Sequence, residues 1–237
     1  MIRVGIGGWV FEPWRGTFYP KGLPHVRELA HASRNVTSIE INSTFYASQK
    51  PASFRRWASE TPDDFVFSLK GPRYTTHRRV LAEAGSSVER FFGSGVLELK
   101  GKLGPVLWQL PARFTRDEDR LADALAVLPP GRHCFEFRHE SWFTSDVLEL
   151  LRAYGVALAY GDHPDRPFVP LELTADWTFL RFHFGHRGRR GNYSETELQE
   201  WAARVRDLRA RVEVFAYFNN DWEGFAPRNA ERLRALL

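Results

Sequence analysis

The chain has 237 residues, 43% of them hydrophobic, and a formal net charge of +4 at pH 7. That length fits one large domain, and 19 Phe with 8 Trp can fill its core. No apolar run approaches the roughly 20 residues that cross a bilayer, and Met1–Ile6 lacks the pattern of a signal peptide. The single Cys134 excludes an internal disulfide and a cysteine-built zinc site. We therefore expect a cytoplasmic protein that does not bind a membrane.

Strand-like segments alternate with helix-like segments along the whole chain. The predicted strands are 3–7, 38–41, 65–70, 105–110, 133–138, 157–160, 178–183 and 212–219. The predicted helices are 24–33, 52–60, 86–100, 115–128, 144–154, 194–210 and 226–236. Strands in such an alternation pair in parallel through right-handed crossovers. Between the sixth and seventh strands Pro164, Pro167 and Pro170 leave no room for a full helix, so this connection should be irregular.

Two of the predicted helices carry a capping box at their start. Ser194 precedes Glu197 by three residues, and Thr115 precedes Glu118 by the same spacing. In this motif the hydroxyl and the carboxylate satisfy backbone N–H groups that the first helical turn leaves free. The spacing therefore predicts helix starts at Ser194 and Thr115.

Polar side chains occupy one face of five predicted strands, near the end at which each strand finishes. Alternate residues of a strand point to opposite sides of the sheet, so Glu40 and Asn42 lie opposite Ile39 and Ile41. The other four strands show the same alternation. The polar faces carry Glu40, Asn42, Lys70, Gln109, Glu136, Arg138, Arg181 and His183.

This pattern favours a closed barrel over an open sheet. An open sheet with helices on both faces would bury the charged side chains beneath a helix, at several kcal/mol each unless they are paired. A barrel directs them to one shared mouth, where active sites of this fold lie. We predict a (β/α)8 TIM-type barrel that forms a single domain over residues 1–237. The alternative for these charges is a structural ion-pair network that lines the barrel.

Motifs in a fixed order along the chain resemble one known family. They are Gly5-Ile6-Gly7-Gly8-Trp9, Glu40-Ile41-Asn42-Ser43-Thr44-Phe45-Tyr46, Gln109-Leu110-Pro111, Glu136-Phe137-Arg138-His139-Glu140-Ser141-Trp142, Arg181-Phe182-His183 and Phe218-Asn219-Asn220. This ordered set, which spans nearly the whole chain, resembles the DUF72 (YecE-like) family. The resemblance implies a TIM-type barrel and supplies no reaction. The chain departs from the family's Arg-x-His-Gly pattern, since Phe184 stands before Gly185.

The polar mouth offers candidate catalytic and binding groups. Carboxylates can act as general bases, and histidines can act as general acids near neutral pH. The candidate catalytic residues are Glu40, Glu136, Asp162, His77 and His183. Guanidinium groups bind phosphate or carboxylate oxygens in pairs, and rim aromatics can stack on a sugar or a base. The candidate substrate-binding residues are Trp9, Asn42, Tyr46, Lys70, Gln109, Arg138, Trp142, Arg181 and Asn219.

Two classes of function fit these groups. The first is a cofactor-independent enzyme, of hydrolase or lyase type, that acts by acid–base chemistry on an anionic phosphate- or sugar-containing substrate. A pair of carboxylates could also hydrolyse a glycosidic bond. The second is a nucleic-acid-binding protein or an endonuclease-like barrel. In that case the basic loop 183–190, which contains no acid, would follow the phosphates while Trp9, Tyr46 and Trp142 stack on bases.

Neither a metal nor an organic cofactor is predicted. Only His77 and His183 join the three acids, and no His-x-x-x-His or Glu-x-x-His pair is present at the mouth. The glycine-rich segment Gly5–Gly8 lacks the helix that a dinucleotide site needs directly after it. The partner expected from the sequence is a small or polymeric anion, and the oligomeric state is left open.

Overall fold

The eight strands close into a parallel barrel in a computed structural model that describes all residues 1–237. The strands follow one another around the barrel in chain order, and the last pairs with the first. They are β1 Ile2–Ile6, β2 Ser38–Ile41, β3 Val66–Lys70, β4 Leu103–Gln109, β5 His133–Glu136, β6 Ala157–Asp162, β7 Trp177–Phe182 and β8 Glu213–Phe218. The predicted (β/α)8 TIM-type barrel is confirmed.

Helices surround the barrel at every connection except one. They are α1 Glu28–Asn35, α2 Ser43–Tyr46, α3 Pro51–Glu60, α4 Ala84–Gly93, α5 Glu118–Ala126, α6 Ser145–Ala153, α7 Glu195–Arg209 and α8 Phe225–Leu236. The β6–β7 connection has no helix, as its prolines predicted. The predicted helix 86–100 is divided, because α4 ends at Gly93 and a 3-10 segment, Val96–Lys102, follows Gly95 in a left-handed conformation. None of the helices combines the length and the apolar character that crossing a membrane requires.

One of the two predicted capping boxes is present. Ser194 accepts from the Glu197 backbone N–H, and the Glu197 side chain accepts from Ser194 in return. The predicted start at Thr115 is wrong, because α5 begins three residues later with Asp117 as its N-cap. Asp117 is itself a strong capping residue, and its carboxylate accepts from the Arg120 N–H at 3.1 Å.

Two separate apolar layers hold the barrel together. A cluster of 47 buried residues fills the space between the sheet and the helices. A second cluster lies inside the barrel and consists of Leu107, Cys134, Ala157, Ala159, Trp177, Phe179, Phe215 and Tyr217. Because side chains alternate along each strand, the two clusters come from opposite faces of the same strands.

The inner cluster closes the lower part of the barrel and places the polar residues above it. The Tyr217 hydroxyl lies 2.7 Å from the Ser38 hydroxyl across the barrel interior, and both side chains are buried. The next inward position after Ser38 on β2 is Glu40, and the next after Phe179 on β7 is Arg181. Both positions are charged instead of apolar. The barrel is therefore a packed core with a polar layer at its C-terminal end, as in other barrels of this type.

Candidate functional site

A cavity of about 790 Å³ opens at the carboxyl ends of the strands. Strand ends and the loops after them supply its lining, which includes the predicted residues Trp9, Asn42, Tyr46, Lys70, His77, Gln109, Arg138, Arg181, His183 and Asn219. Glu40 and Glu136 are fully buried beneath it, next to Arg181. Asp162 and Trp142 are not part of the lining. We call this cavity the mouth.

The floor of the mouth is an ion-pair network centred on Arg181, whose side chain is 3% exposed. Its Nε and Nη2 atoms donate to the two oxygens of Glu40 at 3.0 and 2.7 Å. Its Nη1 atom donates to Glu136 Oε2 at 2.5 Å, and Arg138 Nε donates to the other Glu136 oxygen at 2.7 Å. Two carboxylates thus pair with two guanidinium groups.

This network keeps Glu136 in its charged form. Burial opposes the charge of Glu136, but the Arg138 and Arg181 guanidinium groups outweigh it and hold the pKa of that carboxyl well below its usual range. Burial also opposes the charge of Arg181, and Glu40 and Glu136 raise its pKa above the ordinary value. All four carboxylate oxygens accept hydrogen bonds from arginine. The geometry therefore fits the structural ion-pair alternative for Glu40 and Glu136 better than the predicted role in proton transfer.

The two histidines of the mouth are neutral at neutral pH. Burial and then Arg181 lower the pKa of His183 to about 3, and burial and then Lys70 lower that of His77 to about 4. The expectation that either acts as a general acid near neutral pH is therefore wrong. Burial and the nearby cations, neither of which the sequence alone reveals, disfavour a positive charge on either ring.

Lys70 differs from the other predicted cations because it forms no ion pair. It ends β3, and its Nζ atom lies 4.2 Å from the centre of the Phe45 ring. Burial and then Arg181 lower its pKa to about 8. Since the two floor carboxylates are already held by arginine, the ammonium group adds an uncompensated positive charge to the mouth.

Three buried oxygens at the mouth have no hydrogen-bond partner: Gln109 Oε1, Asn219 Oδ1 and Asp221 Oδ1. A buried polar atom without a partner destabilises the fold by about 1–3 kcal/mol, so a ligand or an ordered water that hydrogen-bonds to these three oxygens would stabilise the protein. Asp221 was not predicted as a site residue, because it lies beyond the end of β8. The available signal was its position two residues after Asn219. Burial and then Glu40 raise the pKa of the Asp221 carboxyl to about 8.

Asp162 does not face the mouth. The inward residues of β6 are Ala157 and Ala159 of the inner cluster, which places Asp162 on the helix-facing side. Its carboxylate accepts from the Tyr193 hydroxyl at 2.9 Å and from Trp201 Nε1 at 3.2 Å. The predicted catalytic position is wrong because the same two-residue alternation that located the other acids points this one outward.

The prediction that Trp142 binds substrate at the mouth is also wrong. Its side chain is fully buried and stacks on Phe137, with ring centres 4.6 Å apart and planes within 3° of parallel. Its Nε1 atom donates to the Phe114 carbonyl at 2.8 Å. A tryptophan with both its polar atom and its faces occupied cannot stack on a base or a sugar.

The basic loop 183–190 meets acids from elsewhere in the fold. Arg187 pairs with Glu200, and Arg190 pairs with Glu223 at 2.8 Å. The absence of an acid within the loop sequence therefore does not make it an unpaired cationic surface. Both pairs are exposed and individually weak, yet they leave less charge for a polyanion than the sequence indicated.

No metal cluster is present among the side chains. The structure brings no three His, Cys, Asp or Glu side chains into a group that could hold a metal ion. The nitrogen and oxygen donors at the mouth are instead mostly amides and cations.

The fold and this cavity define a (β/α)8 barrel protein with a polar, cationic site at its C-terminal mouth. The family described as "Protein of unknown function DUF72" matches residues 3–237, and the chain belongs to it. The UPF0759 protein YunF of Bacillus subtilis (strain 168) is 26% identical over 100% of this chain and 95% of YunF. The UPF0759 protein YecE of Escherichia coli (strain K12) is 31% identical over 60% of this chain and 50% of YecE. The resemblance seen in the motifs is confirmed.

Solved structures agree with this assignment. A DUF72 family protein from Thermotoga maritima MSB8 superposes with a TM-score of 0.87 at 28% identity, covering 100% of this chain and 98% of that one. SacUVDE, with a TM-score of 0.57 at 9% identity, covers 99% of this chain and 96% of its own. An endo-beta-1,4-glucanase of Xanthomonas axonopodis pv. citri reaches 0.55 at 8% identity, covering 99% and 98%. The latter two share the fold alone.

The ion-pair network predicts a large effect of one conservative substitution. Glu136→Gln keeps the side-chain shape and removes the charge that Arg138 and Arg181 share. The buried Arg181 then keeps only Glu40, so we expect the free energy of unfolding to fall by about 3–5 kcal/mol. Urea denaturation of parent and variant measures this difference.

Glu200→Gln is the matched control, since Glu200 pairs with an arginine at the surface. Its denaturation midpoint should stay at the parental value. If Glu136→Gln also unfolds at the parental urea concentration, the network does not hold the floor of the mouth together.

Proposed function

We propose that this chain is a cofactor-independent enzyme, of hydrolase or lyase type, that binds an anionic phosphate- or sugar-containing substrate at the mouth. The observation that carries this proposal is the unpaired, largely buried ammonium of Lys70 beside buried polar atoms without partners. A buried charge without a partner destabilises a fold, and such destabilisation is typical of sites kept for a ligand. An anion is the ligand that would compensate this one.

The charge balance of the mouth supports an anionic ligand. Asp221 is the single acid among the lining residues. Glu40 and Glu136 beneath the mouth neutralise Arg138 and Arg181, which leaves Lys70 and Arg73 without an ion-pair partner. With a pKa near 8, Asp221 is largely protonated at neutral pH and does not offset these cations. Arg138 uses Nε to bind Glu136, which leaves nitrogens of its guanidinium group for a phosphate or carboxylate.

Asp221 supplies the group best suited to be a general acid. It is a carboxyl at the cavity wall that keeps its proton at neutral pH, and one of its oxygens has no partner in the protein. An acid whose pKa lies near the working pH transfers protons efficiently. Asp221 would donate its proton to the oxygen that leaves the substrate.

His77 supplies the base, because its ring is neutral at neutral pH and can accept a proton. Its Nδ1 atom lies 2.9 Å from Thr76 Oγ1, which itself donates to the Pro72 carbonyl at 3.1 Å. With the Thr76 proton on Pro72, the hydroxyl oxygen accepts from Nδ1–H, and the Nε2 lone pair is left to accept a proton. That proton would come from the attacking water in a hydrolysis or from a substrate carbon in an elimination. One proton enters the protein and one leaves in either case.

The first test concerns Lys70. Folding lowers its pKa from 10.5 to about 8, so its charge destabilises the fold below pH 8 and this penalty disappears as the pH rises toward 10.5. Lys70→Met should therefore raise the free energy of unfolding at pH 7, by about 1–3 kcal/mol. The same variant should lose the thermal stabilisation that phosphate and sugar phosphates give the parent.

Thermal melts at pH 7, without these anions and at increasing concentrations of them, measure both effects. Lys21→Met, which removes an exposed lysine, is the control and should keep the parental response. Equal stabilisation of the parent and Lys70→Met by phosphate would remove the observation on which the proposed function rests.

The second test concerns Asp221. With any sugar phosphate that stabilises the parent, phosphorus NMR reports whether the ester is consumed, and the rate should fall as the pH rises through about 8. Asp221→Asn should abolish turnover and retain binding, since the amide keeps the shape and cannot give up a proton.

The same variant gives a stability signature with a defined sign. Folding raises the pKa of Asp221 from 3.8 to about 8, so the unfolded chain ionises this carboxyl between pH 4 and pH 8 while the folded chain keeps it protonated, and the parent loses stability over that range. Asp221→Asn should stay close to the parent at pH 4, where the folded carboxyl is protonated and the unfolded one is only partly ionised, and melt at a higher temperature at pH 8.5. A variant that is equally destabilised at both pH values contradicts the assignment of Asp221.

A further inference from the structure

Two further grooves adjoin the mouth on the side of β3. The first, of about 320 Å³, lies between α2, the segment 72–78 and α4, and it shares Phe45, Tyr46 and Arg73 with the mouth. The second, of about 640 Å³, lies between the segment 73–78 and the turn 111–113, and it shares Arg73 and His77 with the mouth. Arg73 therefore lines all three cavities. We call the two grooves together the basic groove.

The basic groove contains cations and no acids. Its arginines are Arg73, Arg78, Arg90 and Arg113, and neither groove has an Asp or a Glu in its lining. None of these four forms an ion pair, whereas Arg55, Arg79 and Arg187 at other surfaces each pair with a glutamate. Four unpaired guanidinium groups in one concave surface create a positive potential that attracts a polyanion.

Exposed aromatic rings lie among these arginines. The Tyr46 side chain is 74% exposed and the Tyr74 side chain 47%, and both line the first groove. Large apolar rings at such exposure are not part of the core, and they offer flat faces for stacking. A positively charged groove that also contains aromatic faces is the combination with which proteins bind single-stranded nucleic acid.

The backbone that presents the groove is irregular. Tyr74–Arg78 forms a turn of π-helix, and Val80, Leu81 and Glu83 follow with φ values of 49°, 66° and 52°. Side chains larger than glycine rarely adopt this left-handed conformation, least of all a β-branched valine. Strain of this kind persists where the surrounding fold holds it, and it clusters at ligand sites.

We propose that the basic groove binds single-stranded nucleic acid, with phosphates on the arginines and bases on Tyr46 and Tyr74. The inference rests on the proposed function, because the mouth would hold one phosphate-bearing unit and the groove would hold the units next to it. A duplex is the poorer fit, since its base faces are stacked on one another and cannot reach the tyrosines. The loop 183–190, with its arginines paired to Glu200 and Glu223, is not part of this surface.

Fluorescence anisotropy with 5′-labelled oligothymidylates of 2, 4, 8 and 12 nucleotides tests the proposal. The affinity of the parent should rise at least tenfold from 2 to 8 nucleotides and fall steeply with salt. The triple variant Arg78→Ala/Arg90→Ala/Arg113→Ala should lose that gain and flatten the slope of log K against log salt by about 0.7 for each lost contact. The control Arg187→Ala/Arg190→Ala should bind as the parent does.

A second arm separates nucleic acid from other polyanions. Tyr46→Ala/Tyr74→Ala should weaken the 8-nucleotide probe about tenfold or more, because each stacked base is lost with its ring. The same variant should bind inorganic polyphosphate of similar length as the parent does. If polyphosphate binds as tightly as the oligonucleotide and the tyrosines are without effect on either, the assignment to nucleic acid is overturned.

The two proposals fail in different ways. Arg78, Arg90 and Arg113 do not line the mouth, so the triple variant should keep the phosphate stabilisation that depends on Lys70. Phosphate stabilisation without any gain from a longer oligonucleotide would overturn the groove and leave the mouth intact. A parent that shows neither stabilisation by phosphate nor tighter binding of longer oligonucleotides would overturn the proposed function together with the groove.

Discussion

A guanidinium group buried at the centre of the barrel is the constraint on which the rest of the site depends. Arg181 can be charged there only because Glu40 and Glu136 surround it with three hydrogen bonds. Meeting that requirement commits both carboxylates, which therefore cannot also neutralise Lys70. The network stands on the packed inner cluster of the barrel and forms the floor of the mouth. The mouth is positively charged because neither carboxylate is left to neutralise Lys70.

Burial and the surplus of positive charge together explain the protonation states above the floor. They lower the pKa values of His77 and His183 far enough that both rings are neutral at physiological pH. Burial brings the pKa values of Lys70 and Asp221 close to 8, by lowering the first and raising the second. A base without charge, an acid with its proton and a cation without a partner thus meet in one cavity. This combination destabilises an empty site and suits an anionic substrate.

Much of the fold could be predicted from the sequence, because strand alternation is a local property. Parity along β2, β5 and β7 identified which charges point inward, and the closed barrel brought them together. Pairing could not be predicted, since it depends on distances across the barrel: the sequence does not show that Arg181 would take both Glu40 and Glu136. Asp221 was missed for a related reason, because it lies on a loop where no periodicity applies.

Calorimetric titration with sulfate at pH 8, in two buffers of different ionisation enthalpy, tests the central claim most directly. Sulfate does not titrate at this pH, so any proton exchanged on binding belongs to the protein. An anion beside Lys70 and Asp221 raises both of their pKa values, and the account predicts net uptake of a sizeable fraction of a proton for each sulfate bound. Binding without proton uptake, or with proton release, would contradict the account.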